Sequence, residues 1–155
     1  MGGPYDKQIF FESVSNVTAT NSVEVGIERK EGDETYRYVY NAGNSQIPPS
    51  YGCVLSAVTG YSVTISSTTS VDFLVGVVKH STITTGTYGW VMTQGFCPVE
   101  MEADNSCAAG QILALAADGE FALKSNSTGY PTPAVGKSVE AIASGASGSA
   151  WISVR

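Results

Sequence analysis

Apolar and polar residues alternate with a period of two in short runs along the chain, and Gly, Asn, Asp and Pro separate these runs. The pattern predicts half-buried β-strands joined by tight turns. β-Branched residues are frequent throughout, which disfavours helices. The sequence therefore predicts an all-β protein, a compact small β-barrel with an N-terminal extended arm or extra strands. The predicted strands are residues 23–27, 35–40, 51–58, 61–66, 71–79, 88–92, 96–101, 111–117, 120–124, 137–143 and 150–154.

Two of these runs carry stronger signals than the others. Residues 71–79 are almost continuously apolar, which indicates a strand buried on both faces. Asp118-Gly119 lies between two apolar runs and predicts a hairpin turn. Residues 107–117 are the most helix-prone stretch, but Gly110 interrupts them, so a strand is favoured there.

The chain divides into a more polar N-terminal part and a C-terminal part that is dense in apolar strands. We expect an arm at residues 1–22 and a β-barrel domain at 23–155, with a possible subdivision near 48–50, where Pro48-Pro49 favours an extended connector. The arm contains the apolar cluster Ile9-Phe10-Phe11, which could anchor it on a neighbouring chain. The alternative, that this cluster belongs to the first strand of the domain, stays open.

Composition narrows the possible functions. Only 14% of the residues are charged and the net charge is −6, with the basic residues scattered, so we expect no nucleic-acid binding. The sequence contains no apolar run of about 18 residues, so no membrane span is predicted. The first residues lack the pattern of a signal peptide, so none is predicted. Cys53, Cys97 and Cys107 are interpreted as buried hydrophobic residues, with a Cys97–Cys107 bridge as the alternative.

Candidate chemistry is sparse. The single histidine, His80, follows the buried run and is interpreted as a strand-end or turn residue. Glu100, Glu102 and Asp104 have the spacing of calcium ligands, but Asn105 and Gln111 occupy the positions where such a loop requires Gly and Glu. This cluster is also the sole motivation for a hydrolase. We therefore predict no enzyme activity, catalytic residue, cofactor, metal or small-molecule substrate.

Tyr36, Tyr38 and Tyr40 share one face of a predicted strand. They could form a core face, a contact with another subunit, or a platform for sugar rings. Trp90 and Trp151 lie within strands and are interpreted as core or interface anchors.

Glycine and aromatic motifs recur in a fixed order in residues 50–155: VGVV at 75–78, GTYGWV at 86–91, QGF at 94–96, AGQIL at 109–113, DG at 118–119, VGKSVE at 135–140 and WISV at 151–154. Their order resembles the β-tulip barrel of capsid decoration proteins of tailed bacteriophages. The resemblance implies a protein made in the host cytoplasm that binds the outer surface of the virion head, as a homotrimer, and clamps neighbouring copies of the major capsid protein. No catalytic residue is carried over from that family.

Two other roles stay open, a glycan- or receptor-binding module of a virion fibre or surface adhesin, and another virion component such as a tail-tube or head-completion protein. In the decoration role, six residues are predicted to contact partner chains: Ile9, Phe10, Phe11, Tyr36, Tyr38 and Tyr40.

Overall fold

The computed structural model describes residues 12–56, 60–65, 74–124 and 134–154. Short strands account for its regular structure, with one 3-10 turn at Ala117–Gly119, and the predicted all-β class is confirmed. The strands are β1 (Glu28–Glu31), β2 (Glu34–Asn41), β3 (Gly52–Leu55), β4 (Ser62–Ile65), β5 (Leu74–Val77), β6 (Tyr88–Glu100), β7 (Ile112–Leu115), β8 (Phe121–Leu123), β9 (Ala134–Ser138) and β10 (Ser147–Ser153).

Five strands close into a small barrel. The hydrogen-bonded order is β2-β4-β3-β5-β6, and β6 pairs again with β2 to complete the ring. The β2–β4 pair is parallel and the other pairs in the ring are antiparallel. Each strand contributes one buried apolar residue to a shared cluster, which identifies the barrel interior. These residues are Val39, Cys53, Val63, Val75 and Val91.

Strand β6 is long enough to serve two sheets. Its first half, up to Gln94, pairs with β2, and its second half, from Gln94 onward, pairs with β10. The ladder then continues through β9 and β7 to β8. A bridge between Met101 and Phe121 returns β8 to the end of β6, so the second sheet also curls back on itself.

A β-bulge in β6 changes which residues face the interior. Tyr36 pairs with Met92 whereas Thr35 pairs with Gln94, so Thr93 is the extra residue. A one-residue shift moves each following side chain to the opposite face. Before the bulge Trp90 and Met92 enter the larger apolar core, and after it the odd-numbered residues do so: Cys97, Val99 and Met101.

The larger core extends along β6 between the outer wall of the barrel and the inner face of the second sheet. Tyr36 and Tyr38 enter it from the barrel, and Leu113, Phe121 and Ile152 enter it from the second sheet. These five side chains are fully buried, so the two parts of the chain are joined by one continuous apolar core.

The segment before β1 lies against the barrel wall. Thr18 forms a two-way backbone bridge with Tyr88, and the Ser22 hydroxyl lies 3.0 Å from the Tyr38 hydroxyl. The predicted strand at 23–27 is wrong, because Gly26 has a φ of +96° and the chain turns there. Residues 1–11, including Ile9, Phe10 and Phe11, lie outside the described residues.

Several other predictions differ in detail. The runs predicted at 88–92 and 96–101 form the single strand β6, which passes through Gly95 at a φ of +131°. The strand predicted at 137–143 is wrong in its bounds, since β9 is Ala134–Ser138. The Asp118-Gly119 hairpin is confirmed. Cys53, Cys97 and Cys107 are buried and free, as the hydrophobic interpretation predicts.

Asn41 fixes the turn where β2 leaves the barrel. Its side chain is fully buried and its amide nitrogen donates to the carbonyls of Ser45 and Ile83, each at 2.9 Å. Its side-chain oxygen accepts from the Gly43 backbone N–H at 3.0 Å. One side chain therefore satisfies three backbone groups that lie beside the barrel interior.

We expect Asn41→Ala to lower the free energy of unfolding by about 2–4 kcal/mol, because a fully buried side chain and its three hydrogen bonds would be lost. Urea unfolding measures this. The matched control is Asn44→Ala, at an exposed position of the same turn, and it should change stability by less than about 0.5 kcal/mol. Similar small losses for the two variants would contradict this account of the turn.

Candidate functional site

A polar cluster surrounds the chain's histidine at the end of β5. The Tyr36 hydroxyl donates to a Glu34 carboxylate oxygen at 2.5 Å and lies 3.2 Å from His80 Nε2. Lys79 forms an ion pair with the same Glu34 carboxylate. The rings of Tyr36 and His80 are stacked, with centroids 6.0 Å apart.

The pKa shifts in this cluster follow from burial and pairing. Burial acts to raise the pKa of Glu34, but the hydrogen bonds from Lys79 and Tyr36 outweigh it and lower that pKa. Burial, followed by the hydrogen bond to Glu34, raises the pKa of Tyr36 far above its ordinary value. Burial, followed by the charge of Lys79, lowers the pKa of His80.

These pKa shifts do not activate a nucleophile. Burial raises the pKa of the Cys97 thiol to about 12, so the thiol stays protonated at neutral pH. Tyr36 also keeps its proton, and the Glu34 carboxylate is already shared between Lys79 and Tyr36. The arrangement satisfies polar groups at the rim of the larger core, and His80 lies just after a strand as predicted.

The acidic residues after β6 do not converge on a ligand position. Glu100 accepts from the Ser147 hydroxyl, and a Glu102 oxygen accepts from the Asn105 side chain at 2.7 Å. Burial and the carboxylates of Glu102, Asp118 and Glu100 raise the pKa of Glu120. In the part of the chain that the structure describes, no three His, Cys, Asp or Glu side chains are grouped to hold a metal ion. Nor does any helix there have the length and apolar character to cross a membrane.

The tyrosine row divides between core and surface. Tyr36 and Tyr38 are each only 1% exposed, so they are core residues. Their predicted contact with a partner chain is therefore wrong, because almost none of either side chain is accessible. Tyr40 is half-buried and packs on Tyr88 with ring centroids 4.8 Å apart. Its contact with a partner stays a prediction.

The second sheet presents an uncovered apolar surface, which we call the apolar sheet face. One row across four strands consists of Phe96, Trp151, Lys137 and Ile112, each directly opposite the next. Directly opposed residues of a sheet share a face, so these four side chains form a continuous row. A second row contains Pro98 and Ser149, which are directly opposite each other. The Val139 backbone N–H donates to the Ser149 carbonyl, which places Val139 beside this row.

This face concentrates the exposed apolar residues of the described chain. Phe96 is 55% exposed, Ile112 50% and Val139 46%, and other large apolar side chains in the described ranges are more buried. Phe96 and Trp151 pack edge to face with ring centroids 4.8 Å apart. Phe96, Ile112 and Val139 are therefore the residues of this face that a contact with another chain would cover.

Charges lie at two ends of the apolar sheet face. Lys137 occupies the first row, and Lys124 lies beside Ile112, where Gly110, Gln111 and Leu123 complete a shallow groove. At the other end are Glu100, opposite Ser147, and Glu140, which accepts from the Ser149 backbone N–H at 2.6 Å. This hydrogen bond lowers the pKa of Glu140, which keeps it charged.

Sequence reasoning did not single out Phe96, Ile112 or Val139. The sequence nevertheless contains a signal that Phe96 is exposed. In the alternating pattern Phe96 falls on the same strand face as Gln94, Pro98 and Glu100, whereas Cys97 and Val99 fall on the opposite face. Trp151 was assigned to either core or interface, and it lies half-buried on the exposed face.

No family model matches the sequence, and no curated protein matches it. The described fold is a small closed barrel with a second curled sheet, and a solved structure shares it. That structure is the head fiber gp8.5 N base of bacteriophage phi29, with a TM-score of 0.51 and 16% sequence identity. The likeness covers 77% of this chain and 94% of that chain, and at this identity it shows a shared fold.

We expect His80 to make the folded state less stable as pH drops from 7 to 5, while the raised pKa of Glu120 acts in the opposite direction. The pKa of His80 is lower in the folded state than its ordinary 6.5, so the unfolded chain binds the proton more tightly and acid favours unfolding. The loss begins near pH 6.5. The corresponding loss from Glu34, whose pKa is lowered from 4.5, comes at more acidic pH. Urea unfolding at several pH values measures the slope.

His80→Gln should flatten this slope, and Ser81→Ala should leave it unchanged. Because the chain has one histidine, its ring signals in an NMR titration report this pKa directly. A midpoint above 6.5 would contradict the burial argument.

Proposed function

We propose that this chain is a structural protein of a tailed-phage virion that binds the outside of the head and stabilises the lattice of the major capsid protein, as a homotrimer. The observation that carries the proposal is the apolar sheet face, whose exposed side chains suit a protein that works by contact with other protein chains. The fold shared with a phage head fiber base supports a place on the head.

The surface chemistry fits a protein that works by contact. Around Phe96 and Trp151 the outward residues of β6 and β10 are mostly uncharged, with Gln94, Ser149 and Ser153 among them. Such positions can approach another chain without the cost of desolvating charges. The strong negative net charge of −6 keeps the chain soluble before it assembles.

A non-enzymatic role fits the polar side chains. Glu34, Tyr36 and Lys79 already satisfy one another, and the buried thiol of Cys97 stays protonated. Activated nucleophiles instead have a lowered pKa or an adjacent free base. We therefore propose no cofactor, metal or small-molecule substrate for this protein.

The proposed mechanism is mechanical. A trimer binds neighbouring capsid subunits through several weak contacts, and detachment requires all of them to break together. Each bound trimer adds buried interface across subunit boundaries and so raises the cost of rupturing the shell. The cluster Ile9-Phe10-Phe11 and Tyr40 are the proposed contributors to the capsid contact.

A glycan- or receptor-binding module is the second candidate, because the phi29 protein that shares this fold is the base of a head fiber. The tyrosine row that first motivated it is unsuitable for stacking sugars, since Tyr36 and Tyr38 are buried. Phe96 and Trp151 are the accessible aromatic pair that remains.

We expect the purified chain to bind heads that lack it and to raise the temperature at which they release DNA. Co-sedimentation and a DNA-dye release assay measure the two effects, and heads that already carry the protein serve as the control. Absence of both effects would contradict the proposal. Quenching of Trp fluorescence by saccharides, without head binding, would favour the glycan module instead.

A further inference from the structure

The apolar sheet face carries both signs of charge, and they are separated. Lys124 and Lys137 lie at the β7–β9 end, and within the described residues no carboxylate pairs with either of them. Glu100 ends β6 and Glu140 follows β9, and they accept hydrogen bonds from the Ser147 hydroxyl and the Ser149 backbone N–H. We call these the lysine end and the glutamate end.

We propose that the apolar sheet face binds a second copy of this chain, with the lysine end of one copy against the glutamate end of the other. A surface with positive charge at one end and negative charge at the other is complementary to itself. A partner of one sign would match only one end. The inference rests on the proposed function for its purpose, since it names a contact that joins two copies of the proposed virion protein.

In this contact the apolar rows provide the attraction between the two copies, and the charges determine how the copies align. Phe96, Trp151, Ile112 and Val139 would lose their exposure to water in the contact. The small outward residues Ser147, Ser149 and Ser153 let the second chain approach closely. Lys137 lies within the first apolar row, so a carboxylate from the other copy must reach it.

The size of the face predicts a weak single contact. The apolar sheet face spans three strand spacings, which gives a width of about 14 Å between residue centres. Along the strands it spans four residues, which gives a length of about 13 Å. This is well below the roughly 800 Å² per partner that a stable complex buries. Association should therefore depend strongly on concentration. Because each copy has one such face, the contact joins copies in pairs.

The test uses charge exchange on the full chain. The first variant is Lys124→Glu/Lys137→Glu, which makes both ends negative. The second is Glu100→Lys/Glu140→Lys, which makes both ends positive. The third combines all four changes and restores opposite ends. Lys30→Glu/Asp33→Lys is the matched control, with both residues exposed on the β1–β2 hairpin away from the face.

Sedimentation equilibrium at concentrations from about 10 μM to 1 mM measures association, a range that brackets weak contacts. We expect the wild type and the control to associate, each double variant to lose association at least tenfold, and the fourfold variant to recover it. Phe96→Ser should also lose association. Circular dichroism checks that each variant is folded.

A wild type that stays monomeric to 1 mM would overturn the proposal. So would double variants that associate as the wild type does, or a folded fourfold variant that stays monomeric. Self-association without head binding would contradict the proposed function and leave this contact standing. Head binding by a chain that never self-associates would support the proposed function and overturn this contact.

Discussion

The β-bulge at Thr93 is the constraint on which the rest of the structure depends. Strand β6 needs one side-chain phase to close the barrel, where Val91 faces inward. It needs the opposite phase to bring Cys97 and Val99 into the larger core. One extra residue reconciles the two, since a single-residue shift exchanges the two faces of a strand.

The same shift creates the exposed surface. The face of β6 that lines the barrel at Val91 continues, beyond the bulge, as the face that carries Phe96 and Pro98. No element of the described chain covers Phe96, which stays 55% exposed. Trp151 and Ile112 extend this surface across the second sheet because they stand in register with Phe96 and Lys137. The closed barrel thus positions an apolar surface that is exposed in the described chain.

Much of the fold could be predicted from the sequence, because local alternation decides it. The strand containing Tyr36, Tyr38 and Tyr40 and the hairpin at Asp118-Gly119 were predicted from their local residue pattern. The strand at 23–27 was predicted wrongly because alternation cannot reveal that Gly26 takes a positive φ. Alternation likewise does not say which face of a strand is covered.

The candidate site was harder to predict for that same reason. Tyr36 and Tyr38 have the composition of a contact surface, but the second sheet and residues 12–27 bury them. Phe96 and Ile112 have the composition of core residues, yet they face outward. Which aromatic residues are exposed depends on pairing between β6 and β10 and on the bulge, and both are set by distant parts of the chain.

The most direct test of the account is a density map of the phage particle at side-chain resolution. The account predicts this chain on the outside of the head, with Phe96 and Trp151 enclosed between protein chains. A map in which this face points into solvent on every copy, or in which the chain is absent from the head, would contradict it.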